Sequence, residues 1–149
     1  MATRRSRDPA DEVLLTALRW AMAISVQAAD ELGDLSPVQL RALTVLQESP
    51  GTNLNDLAAA MGVTVSTASR LVDRLVAAGL VDRKPSPQTR REISLALTPG
   101  GRGRLQRYDQ LRLAGARSSL EAVPPEERES VVTGLQQLMG GAAHASAGD

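Results

Sequence analysis

The sequence predicts a mainly α-helical protein with one small β-hairpin. Alanine and leucine together number 43 residues and valine and isoleucine number 14, so strong helix formers outnumber strand formers about threefold. Proline, glycine and capping residues separate the helical segments, and one later stretch alternates apolar and polar residues as a half-buried strand does. The length of 149 residues fits a single domain with a sizeable core.

The first predicted helix opens with Asp8 as its N-cap and Pro9 at its first position, and it runs to about Leu32 before Gly33. Arginines precede its apolar stretch, as in an export signal. Acidic residues separate the arginines from that stretch and Arg19 lies inside it, so we expect a cytoplasmic protein with no membrane partner. Residues 1–7 are expected to form a flexible basic tail.

Two shorter helices follow. Ser36 and Gln39 have the spacing of a capping box and begin a helix that extends to about Glu48. Asn53 is positioned to cap the next helix, which Gly62 ends. Their apolar residues recur at helical spacing and predict one buried face on each helix: Leu40, Leu43 and Leu46 on one, and Leu57, Ala58 and Met61 on the other.

A fourth helix and a hairpin complete this part of the chain. Thr64 is placed to cap a helix over 65–78, whose core stripe is Ala68, Leu71, Val72 and Leu75. Strands are predicted over 80–83 and 93–97. Two prolines predict that pairing ends before Lys84 and Pro85, which leaves a basic hairpin tip.

Two further helices are predicted towards the end of the chain. Thr98 and Pro99 begin a long helix that reaches about Val123. Pro125 begins the last helix, which is expected to end near Met139. The remaining small residues, 140–149, are expected to form a flexible tail.

The formal net charge of zero hides a separation of charge along the chain. Residues 8–62 carry two basic and eight acidic side chains, whereas residues 65–107 carry nine basic and three acidic ones. One basic surface on an otherwise acidic protein is expected if that surface binds a polyanion. A solvated charged face is the alternative reading.

Two short helices joined by a short link and followed by a hairpin describe a winged helix-turn-helix. The helix face opposite the core stripe carries small hydroxyl residues and arginines, which suit a DNA groove and its phosphates. Arg70 and Arg74 could instead pair with Asp73 or Glu92 on a wet surface. The predicted contacts to double-stranded DNA are Thr64, Val65, Ser66, Thr67, Ser69, Arg70, Arg74, Arg90 and Arg91.

The run over 53–81, NLNDLAAAMGVTVSTASRLVDRLVAAGLV, resembles the helix-turn-helix of the MarR (multiple antibiotic resistance regulator) transcription factors. Arg90 and Arg91, followed by a strand that ends in Leu97 and Thr98, are similar to that family's wing signature. Thr89 stands where the signature has Asp, and Val65 occupies a position that is commonly Pro.

The resemblance implies a single MarR-type domain that acts as a homodimer on a pseudo-palindromic operator, most often as a repressor released by a small ligand. Residues 8–34 and 99–139 would form the dimerisation helices. Residues 36–98 would form the winged helix-turn-helix, with its motif at about 53–78 and its wing at 80–97.

Two other function classes are alternatives to DNA-binding regulation. An enzyme is disfavoured because the chain has no Cys, a single His144 and no paired carboxylates on one helix face beside a plausible nucleophile. A winged-helix protein-interaction module without sequence-specific DNA binding is the remaining alternative, and the basic segment argues against it.

The same composition bears on cofactors and signals. No cofactor or metal is expected, and a thiol or zinc switch lacks ligands. The expected effector is a small apolar or aromatic anion, with Trp20 as a candidate lining residue. A core or dimer contact is the alternative role of Trp20.

Overall fold

The computed structural model describes residues 8–85 and 93–145, and the side chains as far as residue 140. The elements, in chain order, are helices α1 (Pro9–Leu32), α2 (Pro37–Glu48), α3 (Leu54–Met61) and α4 (Val65–Ala77), strands β1 (Val81–Pro85) and β2 (Ile93–Leu97), helix α5 (Pro99–Glu121), a 3₁₀ turn (Pro125–Glu127) and helix α6 (Arg128–Ala145). The two strands pair antiparallel, with Val81 opposite Leu97. The mainly helical, winged fold class predicted from the sequence is confirmed.

Side-chain caps fix where the first three helices begin. The Asp8 carboxylate accepts a hydrogen bond from the Ala10 N–H at 2.9 Å. Ser36 and Gln39 form the predicted capping box, with reciprocal bonds of 3.3 and 2.9 Å. A second box forms at α3, where Asn53 caps the helix and the Asp56 carboxylate accepts from the Asn53 N–H. Each cap satisfies backbone N–H groups that have no partner within the helix.

The hydrophobic core lies within the first of two compact units, which divide at residue 112 along α5. Leucines of α2, α3, α4 and α5 are its most deeply enclosed large side chains, together with one valine each from α4 and β1. They are Leu40, Leu43, Leu57, Leu75, Leu105, Val72 and Val81. Removing this apolar surface from water is the main stabilisation of the winged part of the chain.

Most of the apolar face of α1 is uncovered in one chain. Val13, Leu18 and Met22 are each about two-thirds exposed, at 68%, 66% and 69%, whereas Ala28 and Ala29 are buried. No helix in the described ranges is long and apolar enough to cross a membrane.

The hairpin differs from its prediction at both ends of β1. The strand begins at Val81 because the Leu80 N–H still belongs to the end of the preceding helix and donates to the Leu75 carbonyl at 2.9 Å. Pairing then continues to Pro85, which lies opposite Ile93, so the predicted stop before Lys84 is wrong. A two-stranded sheet has only edge strands, where a proline is tolerated if its missing N–H does not face the partner.

The last helices also depart from their predicted ends. Helix α5 ends at Glu121 rather than about Val123, and a 3₁₀ turn precedes α6. Helix α6 continues past Met139 to Ala145, so residues 140–145 are helical and the predicted tail over them is wrong. Each glycine there disfavours helix by about 1 kcal/mol, but the alanines that follow have the highest helix propensity.

Candidate nucleic-acid interface

Helix α4 is held by its inner face and by its first turn. Its four stripe residues are buried against the core, as predicted. The Thr64 hydroxyl caps the helix by accepting from the Thr67 N–H at 3.2 Å, and the two threonine hydroxyls are hydrogen bonded to each other at 2.9 Å. The helix therefore presents its outer face from a fixed position.

The outer face of α4 collects the predicted contact residues of this helix on one exposed surface. Ser66, Arg70 and Arg74 are exposed, and Ser69 is half-buried beside them. Val65 is 45% exposed at the first helical position. Hydroxyls and guanidinium groups can bond phosphates and base edges, and an exposed apolar side chain can contact a thymine methyl group.

Arg70 and Arg74 carry the positive charge of this face. Neither forms an ion pair within the described residues, and both line a hollow of about 270 Å³ beside Met61 and Leu71. The alternative in which they pair with Asp73 is not what the structure shows, because the Asp73 carboxylate binds Arg83 instead. Glu92, their other proposed partner, lies outside the described residues, as do Thr89, Arg90 and Arg91 of the hairpin tip.

Sequence reasoning missed the contact between Arg83 and this helix. The residue lies on β1, and its guanidinium nitrogen Nη2 is 2.6 Å from Asp73 Oδ1 on α4. A helical-wheel argument treats α4 alone, so it cannot find a partner that comes from the hairpin. The packing of β1 against α4 is the information that was lacking.

The hairpin is attached to the rest of the domain through its backbone. The Leu95 N–H donates to the Thr52 carbonyl at 2.8 Å, which joins β2 to the segment between α2 and α3. Val81 and Leu97 are buried at the paired end of the strands. The base of the wing is thereby fixed beside α4.

The start of α5 packs against the turn that follows α4. The Thr98 hydroxyl accepts from the Gly101 N–H at 3.0 Å and donates to the Gly79 carbonyl at 2.7 Å. A β-carbon built on Gly101 would stand 2.1 Å from the Leu80 carbonyl oxygen, so a side chain has no room there. This close approach links the start of α5 to the turn that follows α4.

Trp20, the candidate effector contact, lies on α1 with 42% of its surface exposed. It does not line the hollow beside Arg70 and Arg74. The described part of the chain holds no cluster of three or more His, Cys, Asp or Glu side chains suited to a metal.

An exposed, arginine-bearing helix on a rigid winged base defines the class of winged helix-turn-helix DNA-binding proteins. A family model described as MarR family matches residues 33–92. The HTH-type transcriptional regulator YfiV of Bacillus subtilis, itself uncharacterized, is 28% identical over 127 residues, which covers 80% of this chain and 79% of YfiV.

Solved structures agree with that match. RV1404 of Mycobacterium tuberculosis is 34% identical, with a TM-score of 0.78 over 94% of this chain and 97% of its own. The transcriptional regulator Tm0710 of Thermotoga maritima shares the fold at 21% identity, with a TM-score of 0.81 over 96% of this chain and 100% of its own. The chain belongs to the MarR family and is a DNA-binding transcriptional regulator rather than an enzyme.

Proposed function

We propose that this regulator is a ligand-responsive repressor that binds a pseudo-palindromic operator as a homodimer. The observation that carries the proposal is the outer face of α4, where Arg70 and Arg74 are exposed and without an ion pair in the described residues. Arg70 is assigned to base reading because it lies on the exposed face of the groove helix. Thr64, Val65, Ser66, Thr67 and Ser69 complete the helix contacts, and the wing adds Arg90 and Arg91.

Homodimer formation is supported by the apolar side chains left uncovered on the terminal helices. Leu18 of α1 is 66% exposed, and Leu138 and Met139 of α6 are 58% and 62% exposed. Clusters of large exposed apolar side chains are typical of interaction surfaces. In a two-fold dimer the two copies of α4 would lie about 34–36 Å apart, which is one turn of DNA and demands a pseudo-palindrome.

Selection of bound duplexes from a random pool tests this function. The wild-type protein should recover a palindromic site, and log K should fall with log salt by about 0.9 for each phosphate neutralised. Recovery of no preferred sequence together with salt-independent binding would contradict the proposal and favour the protein-interaction module.

The helix and the wing are expected to contribute differently on the selected site. Arg70→Ala should weaken binding by roughly 1–3 kcal/mol and relax the preference at one base pair. Arg91→Ala should weaken all sequences more evenly, since the wing contacts the backbone. If Arg91→Ala changed the sequence preference and Arg70→Ala did not, the roles assigned to Arg70 and Arg91 would be reversed.

The effector is proposed to be a small aromatic or apolar anion, held near Trp20. Support comes from composition, because the chain has no Cys for a thiol switch and a single His where a zinc switch normally needs several converging ligands. BpsR of Bordetella bronchiseptica, which shares the fold at 22% identity and a TM-score of 0.59, has its DNA binding regulated by 6-hydroxynicotinic acid. A ligand of this class releases DNA only if it binds the DNA-free arrangement more tightly.

The chain offers a direct probe of this effector site, because Trp20 is its one tryptophan. A panel of aromatic carboxylates should include one that quenches Trp20 fluorescence and releases the operator over the same concentration range. Release without a fluorescence change would remove Trp20 from the site. Release by peroxide with unoxidised methionines, or by sub-micromolar zinc, would contradict the proposed class of effector.

A further inference from the structure

Asp73 is the acidic residue within α4, and it lies among the arginines of the outer face. Arg70 precedes it by three positions and Arg74 follows it directly. Residues three apart on a helix are neighbours on its surface, so Asp73 is within reach of Arg70. An Asp73–Arg70 pair would hold the guanidinium of Arg70 against its own helix and away from a DNA groove.

In the structure the Asp73 carboxylate pairs with the wing strand instead. Arg83 Nη2 donates to Asp73 Oδ1 at 2.6 Å, and Arg70 forms no ion pair within the described residues. Arg83 lies opposite Leu95 in the β-ladder, and the Leu95 N–H is bonded to the Thr52 carbonyl. The guanidinium of Arg83 therefore approaches α4 from a fixed backbone.

We propose that Arg83 is a positioning residue for DNA binding. By holding Asp73 it leaves Arg70 available to DNA, and it cancels a negative charge that would otherwise repel phosphates. The inference rests on the proposed DNA contact of Arg70. It assigns a function in DNA recognition to a residue of the wing base that does not itself need to touch a base.

Removal of Arg83 should then act through Asp73. The freed carboxylate can compete for Arg70, and its negative charge faces the phosphate backbone without compensation. Both effects disappear when Asp73 is made neutral. A phosphate contact made by Arg83 alone would instead be indifferent to the charge of Asp73.

The test measures affinity for the selected duplex by fluorescence anisotropy. Arg83→Gln should weaken binding about two- to fivefold more than Lys84→Gln, a matched loss of charge at the next residue of the same strand, as expected for exposed ion pairs. Adding Asp73→Asn to Arg83→Gln should bring affinity back to the Lys84→Gln level. An identical effect of Asp73→Asn in the wild-type and Arg83→Gln backgrounds would overturn the proposal.

The effect of Arg70→Ala on DNA affinity gives a second readout. This effect would not depend on Arg83 if Arg83 only stabilised the fold. In the wild type, Arg70→Ala should weaken DNA binding about 5- to 150-fold. The same substitution should have a smaller effect in the Arg83→Gln protein. Its full effect should return in the protein that carries both Arg83→Gln and Asp73→Asn. Thermal melts should show all of these variants folded, since the pair is exposed. An unchanged Arg70→Ala factor in Arg83→Gln would overturn this inference and leave the proposed function standing. Failure of the wild type to bind any duplex would instead remove the proposed function.

Discussion

The winged segment from α2 to β2 and the helices α1 and α6 differ in what covers their apolar side chains. In the winged segment Leu43 and Leu75 are completely buried by the same chain. On α1 and α6 large apolar side chains such as Leu18 and Leu138 are more than half exposed. The winged segment thus completes its core within one chain, whereas α1 and α6 each leave large apolar side chains exposed.

This difference bears on how the two regions serve regulation. A rigid winged segment suits the presentation of α4 to a DNA groove at a fixed angle. Helices that are covered only by a second copy would set the distance between two such segments. In the proposed dimer, a ligand that changes this distance would alter operator binding without entering the groove, because the spacing of the two α4 helices determines the fit.

The largest expected effect comes from truncating a leucine in each region. Leu43→Ala should lower the free energy of unfolding by about 2–5 kcal/mol, because it leaves a cavity in an enclosed core. Leu18→Ala should cost less, but more than the roughly 0.5 kcal/mol typical of exposed sites, if a second copy covers α1. Urea denaturation at micromolar protein measures both. A Leu18→Ala protein as stable as the wild type would show that α1 is uncovered in solution.

A smaller effect is expected at the close approach between α5 and Leu80. Gly101→Ala should destabilise the protein by about 1–3 kcal/mol, because its β-carbon meets the Leu80 carbonyl oxygen at 2.1 Å. Gly103→Ala is the matched control, since nothing lies within 4 Å of its β-carbon. The control should be stabilising by about 0.5–1 kcal/mol through helix propensity. Equal melting temperatures for the two variants would refute the packing argument.

The smallest expected effect comes from removing a helix cap in the winged segment. Asn53→Ala should cost about 0.5–2 kcal/mol, because the Asn53 side chain accepts from the Asp56 N–H at 2.9 Å. Asn55→Ala, at an exposed position of the same helix, should change the stability by less than about 0.5 kcal/mol. Chemical denaturation of the pair distinguishes the cap from a general surface effect.

Local signals in the sequence were sufficient for most helix boundaries. Asp8, Ser36, Asn53 and Thr64 each cap the helix that their spacing predicts, because capping depends on residues within one turn. The buried stripe of α4 was likewise predictable from its period. A helix boundary can be predicted from the sequence where the two hydrogen-bonding partners of its cap lie within four residues of each other.

Features that depend on distant residues could not be predicted in the same way. The pairing of Pro85 with Ile93 depends on the ladder register, and the Asp73–Arg83 contact joins two different elements. The need for a glycine at position 101 arises from the Leu80 carbonyl of another segment. Helix α6 continues through Gly140 because the helix propensity of the alanines that follow offsets that of the glycines. The rule that a glycine ends a helix therefore placed this boundary too early.

Sedimentation equilibrium at micromolar concentration, with and without the selected duplex, tests the central claim most directly. We expect the mass of two chains in free protein and two chains per operator duplex, because a second copy would cover the exposed apolar side chains of α1 and α6. A stable, folded monomer that binds the operator as one chain would contradict it.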